Sequence, residues 1–144
     1  MATPQPPGQR ESDRQRELKL TCMNGLLAAR EERVYFKDLL SRFLFVSAGF
    51  ITAYAPGRSA EWLAGKTDFD VFSYDHAFAA LQDEQQIIRT GRAIVGKVER
   101  ETFKGRAEAW VSTTKMPLRD ERGRLIGTFG ITRDVTAQVR PATP

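Results

Sequence analysis

Apolar positions recur at helical spacing early in the chain. In ESDRQRELKLTCMNGLLAARE, Leu18, Cys22, Leu26 and Ala29 fall at i, i+4, i+8 and i+11, with Leu20, Met23 and Leu27 beside them. This period predicts an amphipathic helix over 12–32 with a broad apolar stripe. Ser12 followed by Gln15 has the form of a capping box at its start. The Pro- and Gly-bearing MATPQPPGQ before it reads as a disordered tail over 1–11. Such a stripe needs a surface to cover, in its own domain or on a second subunit.

The pattern then shortens. Val34 to Lys37 and Phe43 to Ser47 read as strands joined by a hairpin-length link from Asp38 to Arg42. Residues 48–64 read as short helices broken at Pro56-Gly57 and closed by Gly65. The best-marked helix spans 75–90, with Asp75 as N-cap, Ala77, Phe78, Leu81 and Ile88 as its stripe and Gly91 as its stop. Three strand-like runs follow over 93–103, 109–118 and 125–135, separated by Lys104-Gly105-Arg106 and by Arg119 to Arg124. Turns this short force an antiparallel meander, and the helical stretch must cross one face of it. The expected class is α+β, with a five-stranded antiparallel sheet.

Composition narrows the chemistry. At 144 residues with one cysteine and one histidine, the chain is one domain without a disulfide framework or a Cys/His metal cluster. No apolar run approaches the ~18–20 residues of a membrane span, and no signal peptide is seen, so a cytoplasmic location is expected. The net charge of +4 arises after residue 96, where ten cations meet six anions. Those cations alternate with acids (Glu99-Arg100-Glu101; Arg119 to Arg122), the pattern of a solvated face, and nucleic acid is not expected as a partner.

Y35-F-K-D-L, R42-F-L-F-V, G65-K-T-D-F-D-V-F, the T90-G turn, T114-K-M-P-L-R-D and G127-T-F-G-I-T-R-D-V-T stand in an order and spacing that resembles the PAS sensory domain family. The resemblance covers 33–137, leaving the helix over 12–32 and a C-terminal tail over 138–144. It implies the PAS fold, with short helices on one face of the sheet and the N-terminal helix on the other. It further implies a sensory or regulatory domain of bacterial-type, two-component signal transduction. Such a domain binds a small ligand, or dimerises, and passes a signal through the terminal Asp-x-Thr, here Asp134 and Thr136, to an output domain or partner. The alternative is a ligand-free dimerisation module.

The family's cofactor classes find no match in the residues. Flavin-binding members carry a reactive cysteine where this chain has Asp68, or Ala60 on a second alignment, and Cys22 lies far upstream. Haem-binding members carry a histidine where counting back from Thr90 gives Ala80, while His76 stands one turn earlier. Neither cofactor is expected, nor a metal. An unidentified small metabolite remains.

Strand alternation divides the last two strands into Trp110, Met116, Leu125, Phe129 and Ile131 on one side and Val111, Thr113, Lys115, Ile126, Thr128, Gly130 and Thr132 on the other. By the resemblance, Gly130 faces the pocket, which turns the second set inward. A lysine there needs an anionic partner. Either Lys115 and Thr113, with Thr128, hold the carboxylate or phosphate of a metabolite, in a pocket completed by Phe45, Phe78 and Leu81, or the strand register differs and Lys115 faces water. The outer set, Trp110, Phe129 and Ile131 above all, is expected to be covered by Leu18, Cys22 and Leu26, across the two-fold axis of a homodimer or folded back in cis.

No catalytic constellation emerges. Ser73, Asp75 and His76 are too close in sequence to aim at one another, and Asp68 and Asp70 do not share a helix face. Gly65-Lys66-Thr67 lacks the upstream glycine of a phosphate loop, Ala60 standing there. An enzyme is not expected.

Overall fold

A computed structural model of the chain describes residues 4, 6–103 and 107–139. Its order is α1 (Pro7–Leu27), β1 (Arg33–Asp38), β2 (Phe43–Val46), α2 (Ala48–Tyr54), α3 (Ala60–Leu63), a 3₁₀ turn (Asp68–Asp70), α4 (Tyr74–Thr90), β3 (Ile94–Glu101), β4 (Ala109–Arg119), β5 (Leu125–Asp134) and α5 (Thr136–Val139). The strands form one antiparallel sheet in the order β2-β1-β5-β4-β3. The crossover from β2 to β3 carries α2, α3 and α4 over one face, as the sequence requires.

Local chemistry sets the element ends. Ser47, Ser59 and Ser73 each cap a helix by accepting a backbone N–H. Ser73 holds the position expected of Asp75, so α4 starts at Tyr74. Gly91 ends it with a φ of 67°, which a residue with a side chain adopts at a cost. The β4–β5 turn is closed by Asp120, whose carboxylate accepts the backbone N–H groups of Arg122 and Arg124. The expected turn at Lys104 to Arg106 lies outside the described residues.

The N-terminal helix differs from expectation. It begins at Pro7 rather than Ser12 and ends at Leu27, so residues 7–11 are helical and not tail. Proline suits the first helical position because its missing N–H would be unpaired there anyway. None of the residues of α1 is buried. Leu18, Cys22 and Leu26 are all exposed, so the outer face of the sheet is not covered by α1 of the same chain. Trp110, Phe129 and Ile131 lie on that face half-buried, with Phe129 stacked on Phe36 at 5.6 Å.

On the opposite face, Tyr35, Phe43, Val46, Phe50, Tyr54, Leu63 and Phe72 form the apolar core between β1, β2 and the short helices. A bulge between Phe36 and Lys37 places Phe43 opposite Lys37 and Phe45 opposite Phe36. Phe43 is therefore buried, and Phe45 turns out of the core with 60% of its surface exposed. That corrects the placement of Phe45 in the pocket.

Candidate functional site

The inner face of the sheet and α4 enclose a cavity of about 30 Å³. Helical spacing aims His76, Ala80 and Glu84 of α4 at it, each one turn from the last. Alternation aims Tyr35 and Lys37 of β1, Glu99 and Glu101 of β3, and Thr113 and Lys115 of β4. Asp68 and Tyr54 complete the polar wall.

Both lysines are spoken for. Lys37 donates to Asp68 and Glu84 at 2.5 Å each and lies over the rings of Tyr35 and Phe43. Burial alone would lower its pKa, but the two carboxylates outweigh it and hold the ammonium above its usual range. Burial leads in raising the Glu84 carboxyl, with Lys37 opposing it. Lys115 turns inward and is 3% exposed, as expected, yet it donates to Asp83 of α4 at 2.9 Å, with Glu99 at 4.0 Å. Lys97 shares Asp83 at 2.8 Å. The anion sought for Lys115 is thus supplied by the protein.

Glu101 is placed differently. It is 3% exposed, and one carboxylate oxygen accepts the Tyr54 hydroxyl at 2.6 Å. Its Oε2 has no hydrogen-bond partner, and no cation pairs with it among the described residues. Burial is the main cause that lifts its carboxyl to about 7, against the hydrogen bond from Tyr54 and the charge of Arg33. Burial and the Glu101 charge likewise push the Tyr54 phenol well above its usual range. Burial lowers His76, partly offset by Glu99 and Asp68.

A chain of contacts leads outward from Glu101. Arg33 donates to the Tyr54 hydroxyl at 3.2 Å and pairs with Asp134 at 3.9 Å. Asp134 accepts the Thr136 N–H at 2.8 Å, and the Thr136 hydroxyl accepts the Trp110 N–H at 2.9 Å. Asp134 and Thr136 therefore tie the end of β5 to β4 and β1, the geometry their sequence positions predict.

Several expected pocket residues lie elsewhere. Thr113 lines the cavity, but its hydroxyl bonds that of Thr132 at 3.2 Å. Thr128 is fully buried outside the lining, with no partner for its hydroxyl. Gly130 is inward yet does not line the cavity, because a side chain there would collide with Tyr35, whose ring fills the space. On α4, the buried face is Ala77, Ala80, Glu84 and Ile87. Phe78 is exposed and stacks on Tyr74, and Leu81 is only half-buried and does not line the cavity. The apolar pattern misled because the helix spends a core position on Glu84. That charge on a core face, and Lys37 two positions from Tyr35, were the signals available for the missed residues.

The PAS fold family matches residues 29–140, and the chain belongs to it. Among curated proteins, the methanogenesis regulatory histidine kinase FilI of Methanothrix harundinacea is 30% identical over 103 residues, covering 72% of this chain and 11% of that protein. Among solved structures, Vibrio VqmA in complex with ligand and DNA is 25% identical with a TM-score of 0.69, covering 79% of this chain and 50% of that one. A PAS domain from Colwellia psychrerythraea, 18% identical, superposes with a TM-score of 0.66 over 82% of this chain and 98% of its own length. The chain thus spans about one-ninth of the kinase and half of VqmA. Among the described residues no helix is long and apolar enough to cross a membrane.

Proposed function

We propose that this chain is a cytoplasmic, non-catalytic sensory module that reads a small molecule in the cavity beneath α4 and acts as a homodimer. Its state passes to an attached output domain or a partner protein through the Asp134–Thr136 end, as in two-component signalling. The observation that carries the reading is the unbroken run of contacts from Glu101 in the cavity wall through Tyr54 and Arg33 to Asp134 at the exit. A change at Glu101 alters what Tyr54 donates to, and so where Arg33 is held. The histidine kinase and the ligand-bound VqmA among the relatives support a sensory role. The exposed stripe of α1 and the half-buried Trp110, Phe129 and Ile131 support association of two copies.

One observation favours the second reading, a ligand-free dimerisation module. A cavity of about 30 Å³ holds little more than ordered water unless it opens, since a water needs ~10–15 Å³ of such space. Native mass spectrometry of freshly purified protein, beside a denatured sample, separates the two. A dimer that releases a defined extra mass on denaturation supports ligand sensing. A dimer without one supports the dimerisation module, and a bare monomer overturns the dimeric form of both.

A further inference from the structure

The charge balance of the cavity points to a ligand opposite in sign to the one the sequence suggests. Five carboxylates, Asp68, Asp83, Glu84, Glu99 and Glu101, meet three lysines, Lys37, Lys97 and Lys115, at or beside the cavity. The lysines are taken up by Asp68, Asp83, Glu84 and Glu99, which leaves Glu101 without an ion pair within 4.0 Å among the described residues, the charge of Arg33 reaching it from farther away. The Oε2 atoms of Glu101 and Glu84 are buried and have no hydrogen-bond partner, with the Ser41 hydroxyl facing Glu84. A buried carboxylate oxygen without a donor carries a desolvation cost that an N–H donor removes. A carboxylate or phosphate ligand would instead have to displace Asp83 from Lys115.

We infer that the cavity receives a protonated amine, either ammonium or the head group of a small primary amine, with Glu101 Oε2 as its principal acceptor. The inference rests on the ligand-sensing reading above and names its ligand class. Size agrees: about 30 Å³ admits an ammonium group and little else. Access agrees too. A surface cleft of about 370 Å³ between the start of α4 and β3 shares His76 and Glu99 with the cavity wall, so an amine tail can lie outside while its head group lies within. The held-up carboxyl of Glu101, lifted chiefly by burial with Glu99 and Asp134 adding to it and Tyr54 and Arg33 opposing, is the group a bound cation would draw back down. An amine on Oε2 leaves the Tyr54 bond to Oε1 in place and fixes the charge of the carboxylate that Tyr54 and Arg33 face, which couples the site to Arg33.

The test uses the whole 144-residue chain. Ammonium chloride and methylammonium chloride are titrated against matched potassium chloride and tetramethylammonium chloride, with melting temperature and the Glu101 side-chain carboxyl resonance as readouts. The expected result is a melting temperature about 4 °C higher at saturating ammonium or methylammonium than in either control salt, with the Glu101 carboxyl ionised at lower pH. Glu101→Gln is expected to weaken this response at least tenfold. Equal melting temperatures and an unmoved Glu101 resonance in all four salts overturn the inference, and the orphan oxygen is then satisfied by a proton or water. The comparison of salts on the unmutated protein needs no variant to fold. A neutral or anionic molecule retained in native mass spectrometry and indifferent to Glu101→Gln overturns the amine while leaving ligand sensing intact. No response to amines together with no retained mass removes both.

Discussion

Tyr54 and Glu101 meet 47 positions apart in sequence through a buried hydrogen bond of 2.6 Å, the phenol donating to the carboxylate. The bond joins the helical layer to the last residue of β3, and Arg33 braces it from β1.

Burial raises the Glu101 carboxyl from its ordinary 4.5 to about 7 in the folded chain, so the folded state binds the extra proton between those values. Its contribution to stability is therefore full below pH 4.5 and lost as pH rises through 7. Glu101→Gln should remove this loss and leave the variant more stable than the parent above pH 7, by up to about 3 kcal/mol. Urea unfolding at pH 5 and pH 8 measures it, and parallel pH dependences for parent and variant would sink the assignment.

Lys37 should be intolerant of neutral substitution. Lys37→Met leaves Asp68 and Glu84 buried without their cation, a defect that costs about 3–5 kcal/mol. Replacing Asp68 by Asn and Glu84 by Leu in the same chain should restore most of it, since the uncompensated charge is then gone. Chemical denaturation of the single and triple variants decides. A loss below about 1 kcal/mol in the single variant would mean the lysine is not the group holding these carboxylates in place.

Gly130→Ala should destabilise by about 1–3 kcal/mol, because the added methyl meets the Tyr35 phenol on one side and the Thr114 carbonyl 3.0 Å away on the other. Tyr35 is buried and has no room to swing. Tyr35→Leu, made in the Gly130→Ala background, should recover part of the loss by thermal unfolding, whereas equal or larger destabilisation would locate the strain in the backbone instead.

Association should depend on the outer face. Sedimentation of the parent chain is expected to give a dimer, and Leu26→Glu together with Trp110→Glu should give a monomer with unchanged circular dichroism. Leu26 is exposed and Trp110 half-buried in the single chain, and the circular dichroism separates a lost interface from a lost fold. A parent chain that stays monomeric at high concentration would rule out this face as the dimer contact.

Much of the fold was legible because its signals are local. Gly91 after a helix and the polar turn around Asp120 act within a few residues of themselves, and strand alternation turned Thr113 and Lys115 inward, whereas Asp75 was read as the cap that Ser73, two residues earlier, supplies. Phe45 was misplaced because a bulge shifts the register by one residue, and a one-residue shift sends a side chain to the other face. Phe78 and Leu81 were misplaced because an apolar stripe was sought where the helix buries Glu84.

The sequence by itself determined the α+β class, the strand order needed for a meander, the family, and the Asp134–Thr136 tie. These depend on period, turn chemistry and nearby hydrogen bonds. Only the tertiary structure decided the character of the cavity. Whether an inward lysine is free to hold a ligand depends on which carboxylates from other elements reach it. Lys115 meets Asp83 across 32 positions and Lys37 meets Glu84 across 47. Charge compensation in a buried space is a sum over such distant neighbours, and here the sum leaves Glu101, not a lysine, as the group in want of a partner.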